Sequence, residues 1–220
     1  MILGIYCAGS LGKVFYDLAM RINAVQRRWE KMVFIDDVYD GTSFYDGTEV
    51  YRLSEWKEPK ENVEIVIANG TPRGRKAIYN RVISTGYRLA TLVSPTAIIS
   101  PSARLGAGVV VLDYAAVLAD AVVEDNVLIS VYSVVGHDVF VGAHSDIQTN
   151  TILGGNVRIG EETFLGLSVT VKEQLSIGSN TIIGMGAVVS REIGDDVIAV
   201  GEPARAVRRN EDGVIFRGRS

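Results

Sequence analysis

Residues 134–147 read VVGHDVFVGAHSDI. An aliphatic residue recurs every six positions, at Val135, Val141 and Ile147, and a glycine follows the first two at Gly136 and Gly142. Stepping outward in sixes gives Ile129, Val123, Val117, Val111, Leu105, Ile99 and Val93 on one side. On the other side it gives Leu153, Ile159, Leu165, Val171, Ile177, Ile183 and Val189, so all 17 positions from 93 to 189 are Leu, Ile or Val. A second lane, four residues after each aliphatic, runs from Ala97 to Ile193 and is almost entirely small or β-branched. A period of six is not the 3.6 of a helix. An inward apolar residue every six positions, with small partners and turn-permissive glycines, describes a triangular parallel β-helix. Each unit supplies one short strand and a corner, three units close a coil of about 18 residues, and coils stack about 4.8 Å apart. The corners are expected to turn through Gly, Asn and Asp. The lane has no gap, so no long loop interrupts the coil, and functional groups must come from its faces or from another subunit.

The chain has 220 residues, 47% of them apolar, a single cysteine, Cys7, and a formal net charge of −4. That composition supports a packed core and argues against nucleic acid or an anionic membrane surface as the main partner. One cysteine excludes an internal disulfide and fits a reducing compartment. The start, MILGIYCAG, lacks a basic segment before its apolar run and reads as a first strand. No apolar stretch approaches the roughly 18–20 residues of a membrane span. The expected setting is cytoplasmic, without membrane insertion.

Residues 1–91 lack the six-residue beat. Ile2–Tyr6 reads as a buried strand, followed by CAGSLGK and an amphipathic helix over 14–25. A second strand over 31–35 ends in Asp36 and Asp37. A third over 64–68 ends at Asn69–Gly70, and a helix then opens with Pro72 in its first turn. This is a small Rossmann-like βαβ unit, with a glycine loop and acids where such folds bind nucleotides. The full G-x-G-x-x-G fingerprint is absent, so a dinucleotide is not expected. The expected organisation is an N-terminal unit over 1–91, a β-helix over 92–209 and a tail over 210–220.

A βαβ unit feeding a hexapeptide β-helix resembles the bacterial sugar acyltransferases. These include sialic acid O-acetyltransferase-like proteins and the UDP-amino-sugar N-acetyltransferase of bacillosamine synthesis. CAGSLGKV, FIDD, the run from VVGHDVFVG to RIGEETFLG, and VGEPARAVRR carry the resemblance, which covers residues 1 to about 209. It implies a left-handed coil, a homotrimer, acetyl-CoA in the groove between neighbouring coils, and a nucleotide-sugar acceptor on the N-terminal unit. It implies no metal. The motif H-[DE]-x-x-[IV]-G falls on residues 137–142, which makes His137 the general base and Asp138 its partner. An amine or hydroxyl must lose a proton as it attacks a thioester, and imidazole, with an unperturbed pKa of about 6.5, suits that task.

By the same resemblance, Gly155 supplies an oxyanion donor, and Asp146, Leu167, Met185, Ala204 and Arg205 fall at acetyl-CoA-binding positions. Gly9, Ser10, Leu11, Gly12, Asp36, Asp37, Gly70 and Arg75 fall at acceptor-binding positions. The chain departs from the pattern at Leu11 and Asp146, where histidine is common, and at Thr71, Pro72 and Ser130, where asparagine is. His144 lies two residues before Asp146, one strand step on the same face, and is expected to be an exposed polar position. Arg217 and Arg219 in the tail could meet CoA phosphates or be a solvated end. Direct transfer to an amino sugar is the leading expectation, O-acetylation the nearest alternative, and a non-catalytic nucleotide-sugar-binding trimer a third. Two histidines cannot supply the three of a β-helix zinc enzyme.

Overall fold

The computed structural model describes residues 1–211 and Gly213. Its N-terminal unit begins with β1 (Ile2–Tyr6), α1 (Ser10–Gln26) and β2 (Lys31–Ile35). It continues with β3 (Val50–Tyr51), β4 (Val63–Ile67), α2 (Pro72–Thr85) and β5 (Arg88–Leu89). The five strands form one parallel sheet in the order β3-β2-β1-β4-β5. β1, β2 and β4 match their expected positions to within a residue, while β3 escapes sequence reading because it is only two residues long. α2 starts where Thr71 accepts a hydrogen bond from Gly74 N through its hydroxyl and stops at Gly86, whose φ of 83° suits glycine. α1 lies between the sheet and the coil. Its Phe15, Leu18 and Ile22 share one buried cluster with Leu3 and Ile5 of the sheet and Val110 and Leu128 of the coil. Burying each such side chain contributes about 1.5–3 kcal/mol, and this is what fixes the sheet's position on the coil.

The coil has three faces. The first carries the strands from Leu92–Val93 to Ile182–Ile183, extended by Val197–Val200 and an antiparallel Arg205–Arg209. The second runs from Ile98–Ile99 to Val188–Val189, and the third from Arg104–Leu105 to Ser176–Ile177. Each strand pairs in parallel with the one a full coil away, as Ala116 does with Val134 and Asp146 with Phe164. The six-step aliphatics form the interior cluster. The polar members of the second lane are also fully buried, and each donates its hydroxyl to a carbonyl on the next corner. Ser133 reaches Gln148 O at 2.8 Å, Ser145 reaches Gly160 O at 2.9 Å, and Thr151 reaches Gly166 O at 2.9 Å. Thr163 and Thr181 repeat the pattern at 2.7 and 2.9 Å. These bonds remove the penalty of burying hydroxyls and tie neighbouring coils together.

The glycine lane has a different cause from the one expected. The left-handed corner residues stand two positions later, at Asn126, Tyr132, Asp138, His144, Asn150 and Asn156 among others. The glycines instead mark close approach: a methyl group on Gly136 would lie 2.6 Å from Leu153 O, and one on Gly142 2.6 Å from Glu161 N. The corners between faces form columns. The first corner, between the first and second faces, carries Tyr114, Tyr132 and Asn150. The second, between the second and third faces, carries Asp138 and Asn156. The third, between the third and first faces, carries Asn126, His144, Glu162 and Asn180. α2 lies along this third corner, where Lys76 pairs with Glu162 at 2.5 Å and Arg73 donates to Asn180 Oδ1 at 3.1 Å. The second face presents Ile98, 65% exposed, and, three strands further along the same column, Ile152, with the first-corner pair Tyr114–Tyr132 at its edge. Those two rings stack 5.2 Å apart with 10° between their planes.

Candidate active site

His137 sits at the second corner, one position before the left-handed Asp138 (φ 59°). That turn brings the Asp138 carboxylate back to the ring, 2.8 Å from His137 Nδ1. A carboxylate only accepts, so Nδ1 carries the proton and Nε2 keeps its lone pair. Both side chains are more than half exposed, at 59% and 52%. One coil later lies Gly155. A methyl group there would overlap Cε1 and Nε2 of the His137 ring, so only glycine lets the imidazole lie across this backbone. The N–H of Gly155 donates to no group among the described residues. At the third corner the equivalent N–H groups of Ala107, Ala143 and Ser179 are taken by the carboxylates of Asp125, Glu124 and Asp195. A basic nitrogen and a free N–H therefore stand side by side at residues 137 and 155, the pair an acyl transfer needs.

Leu167 and Met185 are exposed, one above the other, on the first corner. Ala204 is buried and Arg205 exposed; both line a groove of about 200 Å³ on the last coil with Arg191 and Ile193. His137 and Gly155 stand at the opposite end of the second face from Leu167 and Met185, so one chain does not bring these two sets together.

The acceptor-side residues cluster at the C-terminal edge of the small sheet. Gly9 caps α1 after β1, and Ser10, Leu11 and Gly12 form the first turn of that helix; Leu11 packs against the cluster shared with the coil. Gly9 and Gly70 border open space, whereas a side chain at Gly12 would run into Cys7 O. Asp36 holds this edge together, accepting from Ala8 N at 2.8 Å, Val38 N at 2.8 Å and Tyr39 N at 2.9 Å. Asp37 accepts from the Tyr6 hydroxyl, from Arg81 at 2.6 Å and from Leu53 N at 3.0 Å. Partial burial works to raise the Asp37 carboxyl, but those hydrogen bonds outweigh it and hold the pKa below its ordinary value. Burial, helped by Asp37, pushes the Tyr6 hydroxyl well up.

Three residues lie elsewhere than sequence reading suggests. Arg75 has no exposed surface. It donates to Ile67 O at 3.0 Å, Asn69 O at 3.3 Å and Asn126 O at 2.8 Å, so it braces this edge from beneath and presents no surface of its own there. Burial lowers its pKa to about 10. His144 is buried, because α2 covers the third corner and Tyr79 packs edge-on to the ring at 4.8 Å. It occupies a corner, not a strand, so it does not share a face with Asp146. Asp146 is fully buried on the first face under the N-terminal unit. Gln148 donates to one of its oxygens at 2.8 Å while the other has no partner, and burial pushes its pKa up to about 7. Asn126 and Tyr79 are missed by sequence reading; asparagine at a corner carries no signal beyond the turn itself. Arg217 and Arg219 lie outside the described residues.

Residues 2–82 match the family model for the PglD N-terminal domain. The acetyltransferase domain of PglB from Neisseria gonorrhoeae FA1090 is 33% identical, with a TM-score of 0.87 over 94% of this chain and 99% of that one. The chain belongs to the bacterial hexapeptide-repeat sugar acyltransferases. The same PglB domain, in complex with acetyl coenzyme A, matches the acyltransferase at 32% identity and a TM-score of 0.86, over 94% of this chain and 98% of that one. PerB from Caulobacter crescentus, in complex with CoA and GDP-perosamine, is 28% identical to the acyltransferase, with a TM-score of 0.83 over 94% of this chain and 97% of that one. The small parallel α/β unit, the β-helix expected from the repeat and the left hand that the family resemblance implies are the fold of this acyltransferase. No helix among its described residues is long and apolar enough to cross a membrane.

Proposed function

We propose that this acyltransferase moves an acetyl group from acetyl-CoA to the amino group of a nucleotide-linked amino sugar, in bacterial surface glycan or glycoprotein synthesis. The observation that carries the reading is His137 lying across Gly155 with Nδ1 tied to Asp138. Nε2 removes a proton from the acceptor nitrogen as that nitrogen attacks the thioester carbonyl. Asp138 stabilises the imidazolium, and the Gly155 N–H donates to the oxygen that gains negative charge. Collapse of the tetrahedral intermediate releases the thiolate of CoA, which takes a proton from His137. The α/β unit through residue 91 binds the nucleotide sugar along Gly9–Gly12, Asp36, Asp37 and Gly70, and residues 92–209 carry the transfer.

The active assembly in this reading is a homotrimer. The acceptor crevice, Leu167 and Met185 lie toward the first corner, and His137 and Gly155 at the second. A complete site then takes the first corner of one chain and the second corner of a neighbour. The exposed apolar second face, with Ile98 and Ile152, supports the same assembly. The test is thiol release from acetyl-CoA against a panel of UDP-, dTDP- and GDP-linked amino sugars, for wild type and His137→Ala. Release with one amino sugar, lost in the variant, is the expected result. Binding of nucleotide sugar without release across the panel would turn the reading toward O-acetylation or a binding-only trimer.

A further inference from the structure

At the third corner, behind the acceptor crevice, a chain of buried polar groups joins His144 to the loop after β4. Arg75 donates to Asn126 Oδ1 at 2.9 Å. A guanidinium has no acceptor, so Asn126 must turn its oxygen to Arg75 and its NH₂ to the other side. The Asn126 nitrogen faces His144 Nδ1 at 3.1 Å. An NH₂ group only donates, so His144 Nδ1 must be the unprotonated nitrogen and Nε2 carries the hydrogen. One buried arginine thus dictates an amide orientation and, through it, a histidine tautomer. The other end of Arg75 holds the carbonyls of Ile67 and Asn69, beside Gly70.

We infer that His144 is a positioning residue for acceptor binding: it holds Asn126, Asn126 holds Arg75, and Arg75 fixes the Ile67–Gly70 edge of the crevice. The inference rests on that edge binding the acceptor, as proposed above. A proton on Nδ1 would set donor against donor. Asn126 would turn over and set its NH₂ against Arg75, leaving the guanidinium held at this end by the Asn126 backbone carbonyl alone and loosening the far end of the chain. Neutral His144 therefore corresponds to the ordered crevice. The surroundings hold it neutral: burial lowers its pKa first, Lys76 and Arg75 act in the same direction, and Glu162 and Glu161 oppose them. Tyr79 on α2, with its hydroxyl 2.9 Å from Asp125, and Arg104 and Glu124 across a groove of about 510 Å³ complete the groups around the ring.

The test separates positioning from packing with two variants that suit the left-handed backbone at 144 (φ 64°). His144→Asn keeps an acceptor near the Nδ1 position and does not titrate; His144→Gly removes the acceptor. At pH 7.5, His144→Gly is expected to raise the KM for the amino-sugar nucleotide about tenfold, with kcat and the acetyl-CoA KM within about twofold. His144→Asn is expected to stay within about twofold of wild type throughout at that pH. Between pH 7.5 and 5.5 the ratio of wild-type to His144→Asn acceptor KM is expected to rise, because the ionisation of the acceptor amine is common to both. Two further readouts need no turnover. Nitrogen-15 spectra of the two histidines should give the Nε2–H tautomer for His144. Amide exchange over residues 67–76 should accelerate at pH 5.5 in wild type relative to His144→Asn. A flat KM ratio, unchanged exchange in that segment, or an Nδ1–H tautomer would overturn the inference. If no amino sugar is acetylated, the spectra and the exchange still decide it.

Discussion

The imidazole of His137 lies across the backbone of Gly155, one coil further along, so closely that a methyl group at 155 would overlap the ring. Gly155→Ala should therefore swing the ring off its position while leaving the fold intact, because a half-exposed side chain moves at little cost. The expected outcome is a fall in kcat/KM of about 10²-fold or more with the thermal midpoint almost unchanged, the range of effect that a displaced general base produces. Steady-state kinetics beside a melting curve checks both halves.

Asp138→Asn keeps the shape of the side chain, and asparagine tolerates the left-handed backbone at this corner. What it loses is the carboxylate that requires the proton on Nδ1 and stabilises the imidazolium. The expected loss in kcat is about 10–100-fold, smaller than for a buried triad because the His137–Asp138 pair is open to solvent. An acceptor KM that stays put while kcat falls would distinguish this from a change in acceptor binding.

Arg75 offers a prediction about stability. It is fully buried, and its partners are three backbone carbonyls and one amide oxygen. Arg75→Met leaves those acceptors unpaired between the α/β unit and the coil. A loss of about 3 kcal/mol in urea unfolding is expected, with Arg75→Lys intermediate because a single ammonium cannot span the same set. Equal stability of the methionine variant and wild type would show that the brace contributes nothing.

Asp146 sets a pH dependence whose sign can be worked out. Burial raises its pKa to about 7, above the value of an unfolded carboxyl. The folded chain therefore binds the extra proton between about pH 4 and 7, and this group favours folding at the acid end of that window. Its contribution is lost as pH rises through about 7. Asp146→Asn should flatten this part of the stability curve and, at pH 8, be the more stable form by on the order of 1–2 kcal/mol. Chemical denaturation at pH 5 and pH 8 measures the difference directly.

Ile98→Glu and Ile152→Glu on the second face should break the proposed trimer. Sedimentation would give single chains, and activity should fall with assembly even though His137 and Gly155 are untouched. Charge at the centre of an apolar contact disfavours association by several kcal/mol. A monomer that kept full turnover would show that one chain carries a complete site.

The coil was legible because its physics repeats: each aliphatic of the six-step lane faces the same interior, so seventeen positions state one rule. His137, Asp138 and Gly155 were legible through family resemblance alone, since nothing in the periodicity distinguishes one corner from the next. The glycine lane was found but its cause misread, because close approach of the following coil and left-handed turning both select glycine. His144 and Arg75 were misplaced for a common reason. Their surroundings are made by α2 folding back over the third corner, a contact between segments about 50 to 70 residues apart that no local pattern encodes. β3, at two residues, is too short to carry alternation.

The register of the coil also constrains how its length can change. Because strands pair a full coil apart, as Ala116 does with Val134, inserting or deleting one complete coil would leave every column of side chains in line. A change of a single six-residue unit would preserve the hydrophobic lane and fold as readily. It would nonetheless rotate everything downstream by a third of a turn, parting Gly155 from His137 if it fell between them. Viable length variants of this chain should therefore differ by whole coils placed outside the stretch between those two residues, even though the interior alone would accept any multiple of six.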